Sequence, residues 1–182
     1  MRYVCPLEGR STSDIPSVQY HYTLISLYKF FTPGQNTSLP IHITQHAKDL
    51  CIHSAREIIS LAAVHGRDFG FDRMYFVFAE GVALALFVLL IDLDSEKSSQ
   101  AFFEAAIALR AASRRFLFAK GMLRMAYLTA IQTHITLPIR ARRLFKDFVR
   151  NSWRPEDVHL FNSEIPNVAL MIRPNGVDTG KC

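Results

Sequence analysis

The stretch MYFVFAEGVALALFVLLI, from Met74 to Ile91, is eighteen residues long and carries one charge, Glu80. As a helix it would span roughly 27 Å, close to the hydrocarbon thickness of a bilayer. Eleven of its residues are Phe, Val, Leu or Ile, so hydropathy by itself leaves insertion open. The flanks then have to arbitrate. Arg67, Asp68, Asp72 and Arg73 precede the stretch and Asp92, Asp94, Glu96 and Lys97 follow it, so no basic excess sets an orientation. A helix without a polar face lies either in lipid or at the centre of a bundle, and its neighbours argue for the bundle.

Those neighbours are one-faced helices, and no run of strict alternation predicts a sheet. The first is predicted to begin after Asp14, with Pro16 in its opening turn, to bury Tyr20, Leu24, Leu27, Tyr28 and Phe31, and to stop at Pro33-Gly34. In the second, Ala47, Leu50, Cys51, Ser54, Ala55, Ile58, Ile59 and Ala62 follow helical spacing, with Gly66 as the stop. The apolar stretch follows as a helix from Tyr75 to Leu90, with Asp72 as its N-cap. Beyond it, one segment buries Phe102, Ala105, Ala106, Leu109, Ala112 and Phe116, and another Ala119, Met122, Leu123, Ala126, Ala130 and Ile131. A break is expected within RRFLFAKGMLR, 114–124, because Phe116 and Phe118 cannot share one face of a straight helix. Pro138 breaks the run after Ile135, and a last helix follows, RARRLFKDFVR, with Leu144, Phe145 and Phe148 inward and Arg140, Arg142, Arg143, Lys146 and Arg150 largely outward. The expected fold is all-α: a bundle of about five to six helices around a central apolar one. A polar segment, 1–16, would precede a domain of residues 17–150, and an irregular tail, 151–182, would follow.

Chemistry is thin. No G-x-S-x-G, H-E-x-x-H, P-loop or G-x-G-x-x-G occurs in the sequence. The acids of DLDSE, 92–96, suit a hard cation, but Lys97 and Phe103 stand where a calcium loop needs Gly and Glu. An acidic turn with Ser95 capping the next helix is the simpler reading. His42, His46, Cys51 and His53 lie close in sequence, yet Cys51 falls on the apolar stripe, so no tetrahedral zinc set converges. Neither metal, cofactor nor catalytic residue is assigned. The three cysteines, Cys5, Cys51 and Cys182, are odd in number and far apart, as reduced thiols would be. With a polar start and no signal sequence, an intracellular protein is expected. Residues 110–154 hold eleven Lys or Arg against one acid, Asp147, for a net +10 that leaves −5 elsewhere. Such a segment could face nucleic acid, an acidic membrane or an acidic partner, and is read first as the solvated faces of two helices.

The order QYHYTLISLYKFFTP, LCIHSAREIISLAA, VFAEGVALALFVLL and ASRRFLFAKGMLRMAYLTAI resembles the back half of the regulatory, or middle homology, region of fungal zinc-cluster transcription factors. Cys51, Ser54, Ala55 and Ile58 match that family's Cys-x-x-Ala-Ala-x-x-Ile helix, with Ser54 at its first Ala, while Lys29, Phe30 and Phe31 replace the usual ending of its first element. The resemblance covers about residues 17–148 and implies a non-catalytic regulatory or interaction domain, in the nucleus, responsive to protein partners or a small-molecule effector. The family's zinc module needs six cysteines, so this chain is not expected to bind DNA sequence-specifically by itself. Because the first half of the regulatory region is missing, a truncated gene product or a cut fragment is expected, with part of its apolar surface uncovered. Self-association or a protein partner would cover it. The candidate surface is Tyr20, Leu24 and Leu27 with Leu144, Phe145 and Phe148, and the candidate basic patch is Arg140, Arg142, Arg143, Lys146 and Arg150. A single-span or membrane-associated helical protein and an α-helical enzyme using the acids at 92–96 are the competing readings.

Overall fold

The computed structural model of the protein describes residues 14–33 and 39–151. Cys5, Cys182, Gly34 of the expected first stop, most of the segment 1–16 and the tail after 151 lie outside the described residues. Six α-helices follow in order: α1 (Asp14–Tyr28), α2 (Ile41–Phe69), α3 (Phe76–Leu90), α4 (Glu96–Ala112), α5 (Leu117–Gln132) and α6 (Ile139–Asn151). Short 3-10 turns at Lys29–Phe31 and Phe71–Arg73 link them, and the described residues contain no strand. The fold is an all-α bundle.

At its centre lies α3, the apolar stretch. Every residue from Gly81 to Leu90 is buried, and α1, α2, α4 and α5 all pack against it. With 15 residues it is about 22 Å long. No helix among the described residues is long and apolar enough to cross a membrane. Glu80 sits one residue before the buried run and is partly buried, and burial pushes its carboxyl pKa up.

Several local expectations are corrected. Asp72 does not cap α3: it is exposed in the 3-10 turn, Tyr75 occupies the N-cap position, and no side chain bonds the first turn there. Gly66 does not stop α2, which continues to Phe69. The stop is Gly70, at φ 82°, where a residue without Cβ costs least. Gly66 serves instead as the seat of the Phe71 ring, which a Cβ at that position would strike. Ser95 does occupy the N-cap of α4, but its hydroxyl makes no cap bond. The break before α5 falls at Phe116, whose extended backbone separates the two helices, and Phe116 itself is only partly buried. Ile131, expected inside, is 53% exposed near the end of α5.

The largest correction concerns α1. Its buried residues are Val18 and Ile25, while Tyr20 and Leu27 are 61% and 56% exposed. Positions 18, 21, 25 and 28 form one helical stripe and positions 20, 24, 27 and 31 form another, turned by about 110°. Both stripes are largely apolar, so period alone does not choose between them. Close approach does: at Gly81 of α3 an added Cβ would lie 2.9 Å from Val18 Cγ1 and 3.5 Å from Ile58 Cγ2, so the backbones meet where only small or branched side chains fit.

Candidate interaction surface

Two surfaces anticipated from sequence have different fates in the fold. On α1, Tyr20 and Leu27 are exposed and Leu24 is partly buried, so this stripe faces outward. Phe30 and Phe31 are exposed in the 3-10 turn that follows the helix, and Tyr22 is exposed on another face of α1. On α6 the outcome is reversed. Phe145 and Phe148 are fully buried and Leu144 is partly buried, which takes the first two off any accessible face. The Phe145 ring stacks on Tyr127 of α5 with centroids 5.9 Å apart and lies 6.0 Å from Phe102 of α4. These contacts anchor α6 to the bundle.

The five basic residues of α6, Arg140, Arg142, Arg143, Lys146 and Arg150, are all exposed. They do not form an unbroken patch of free charge. The Arg140 guanidinium lies over the Phe103 ring, 4.3 Å from its centroid, and Arg142 Nη2 donates to the Leu137 carbonyl at 3.2 Å. Between them Asp147 pairs with Arg110 of α4.

The acidic turn at 92–96 is structural in a way the sequence does not reveal. Arg56, projecting from the middle of α2, donates through Nη2 to Asp92 Oδ2 at 3.2 Å, to Ser95 Oγ at 3.1 Å and to Ser98 Oγ at 2.6 Å. Ser98, fully buried, donates in turn to Asp92 Oδ2 at 2.5 Å. This network explains why Ser95 fails to cap α4: its hydroxyl is turned to Arg56. It fastens the α3–α4 turn to α2 and engages Asp92, one of the three acids of that turn. Replacing Arg56 with Met keeps the aliphatic stem and strands the partly buried Asp92 and the buried Ser98. With both members of the ion pair still reached by solvent, a loss of about 1–2 kcal/mol is expected in urea unfolding, and an unchanged midpoint would show that water satisfies the turn equally well.

Among the described residues, His42, His46, Cys51 and His53 form no group of metal ligands. His42, His46 and His53 are exposed, and burial pushes the Cys51 thiol pKa up to about 11. Among the described residues no group of three or more His, Cys, Asp or Glu converges as metal ligands would. His21 faces His53 edge-on at 6.4 Å. Its pKa is lowered by burial, an effect that Glu57 opposes and His53 reinforces. His65 is the residue sequence reasoning passed over. It is buried in α2 with both ring nitrogens unpartnered, stacked at 5.0 Å on Phe78 and tilted at 5.2 Å against Phe69. Its spacing from Ile58 and Ala62 put it on the buried stripe, which was the available signal.

No protein-family model matches the sequence, and no solved structure matches it. One curated protein does: the notoamide biosynthesis transcriptional activator of Aspergillus versicolor, 29% identical over 153 residues. This likeness relates the chain to a fungal transcription factor. The match covers 75% of this chain and 25% of that activator, so the chain spans about a quarter of the length of the curated relative it matches.

Proposed function

We propose that this chain is a regulatory or interaction domain of a fungal transcription factor, non-catalytic and nuclear, working through contacts with a protein partner or a second copy of itself. The observation that carries this reading is the likeness to a transcriptional activator across 75% of the chain. The outward stripe of α1 supports it: Tyr20 and Leu27 are large, apolar and solvent-exposed, the kind of surface that contacts to another protein bury. Residues 17–150 form the domain in this reading, corresponding to the back half of a middle homology region, and DNA sequence is read by other parts of such a factor. The basic face of α6 then gives the chain at most weak, salt-sensitive attraction to nucleic acid or acidic protein.

Tethering the full chain to a reporter promoter through a heterologous DNA-binding module tests the proposal. Reporter output is expected to change several-fold, and the double substitution Tyr20→Glu, Leu27→Glu to return it toward baseline with little change in melting temperature, since both side chains are exposed. Output indistinguishable from the module alone overturns the regulatory reading. A lost effect accompanied by unfolding would remove the α1 stripe from it.

A further inference from the structure

The turn that ends α5 is built with the wrong residue for its shape. The N–H of Ile135 donates to the Ala130 carbonyl at 2.9 Å and that of His134 to the Ile131 carbonyl at 3.2 Å, the paired bonds of a Schellman stop. The residue at its corner takes a left-handed conformation, which favours glycine because a Cβ there crowds the backbone. Here the corner is His134, at φ 56°, the one non-glycine residue with positive φ among those described. Backbone outliers of this kind cluster at ligand-binding and switch regions, and His is one of the side chains that enter this region more readily than most.

That side chain lines a recess of ≈ 300 Å³ between α5 and α6, at the small end of ligand-sized pockets. Tyr127, Ala130, Ile131, Ile135 and Leu137 give it an apolar side, and Thr136, Arg142 and Lys146 join His134 in lining the rest. No acid lines the recess, and none of these three basic residues has an ion-pair partner among the described residues. Arg142 and Lys146 stand four residues apart on one face of α6, a like-charge spacing that is mildly unfavourable and that an anion bound between them would relieve. The bond from Arg142 Nη2 to the Leu137 carbonyl fixes the guanidinium beside the recess and leaves its other donors for a ligand.

We infer that the recess between α5 and α6 binds a small carboxylate with an apolar body, its charge held by Arg142, Lys146 and His134 and its body laid against Ile131, Ile135 and Leu137. A carboxylate matches the planar guanidinium fork, and the apolar wall separates this ligand from a bare inorganic anion. The inference goes beyond the regulatory reading and does not depend on it, because binding is read directly on the purified chain.

The test is a titration of the full chain, followed by calorimetry and by amide chemical shifts, with isovalerate, 3-phenylpropionate and indole-3-acetate. Their neutral amides and inorganic phosphate serve as comparisons. At least one carboxylate is expected to saturate, with shifts centred on residues 131–146, while its amide and phosphate do not. Arg142→Gln is expected to weaken binding about tenfold, by loss of a charge-assisted hydrogen bond. Lys146→Gln, which leaves the Arg142 tie to the turn intact, is expected to weaken it by a smaller factor. His134→Gly is expected to raise the melting temperature by about 2–4 °C, because the turn relaxes, and to weaken binding at the same time. Failure of all three carboxylates to saturate overturns the site, as does equal binding of the amides or unchanged affinity in Lys146→Gln. Phosphate binding as tightly as the carboxylates overturns the role of the apolar wall, and His134→Gly binding like the parent removes His134 from the site.

Discussion

Leu86→Lys is expected to abolish the cooperative thermal transition of this protein, or to leave a collapsed helical state without one. Leu86 lies in the buried run of α3 with no exposed surface, among residues that offer an ammonium group no partner. Burying that charge, or forcing α3 outward to solvate it, costs about 3–5 kcal/mol, a large part of the total stability of an ordinary domain. Leu27→Lys is the control, since Leu27 is 56% exposed and the same chemical change there is expected to stay within about 0.5 kcal/mol. Circular dichroism melts of the two variants beside the parent decide the matter. If Leu86→Lys melted like the parent, α3 would not be the core of the folded chain.

The second large effect is expected at Phe145. Its ring has no exposed surface and sits between Phe102 of α4 and Tyr127 of α5, so truncation to Ala leaves a cavity at the joint of three helices. A loss of about 3–5 kcal/mol follows from the removed contacts and the unfilled space. Denaturant titration gives the magnitude, and light scattering across a dilution series adds a second reading. If Phe145 instead belonged to a sticky outer face, the substitution would leave stability unchanged and reduce self-association. The burial of the ring points to the first outcome. Because α6 is held mainly by Phe145 and Phe148, the same substitution is expected to loosen the recess beside Arg142 and Lys146.

The central helix and the fold class were legible because they rest on pattern: a segment apolar all round has one place in a bundle, and its amphipathic neighbours each supplied a face to cover it. The inward stripe of α6 was legible for the same reason, with Phe145 and Phe148 opposite arginines. What pattern left open was α1, where two apolar stripes compete. The choice between them depends on the glycine in α3 that lets Val18 come close, a contact between residues 63 positions apart. The Arg56 network was equally hidden. Its partners lie 36 to 42 residues away, and no periodicity marks a polar side chain that reaches across a bundle. At the α5 turn the signal was Pro138, which breaks the run after Ile135, while no glycine marks the corner that His134 occupies.

The place of α3 in the chain order has a consequence for synthesis. A ribosome releases this most apolar helix before α4, α5 and α6, so of the four helices that pack on it only α1 and α2 have been made when it emerges. At about 5–20 residues per second, the residues from Ile91 to Asn151 take several seconds to follow. Throughout that interval a run of ten consecutive core residues, Gly81 to Leu90, lacks half its shelter. The nascent chain is therefore a natural client for chaperones that hold apolar segments. Slowing translation beyond codon 90 is expected to lower the yield of folded protein more than slowing it before α3 has emerged.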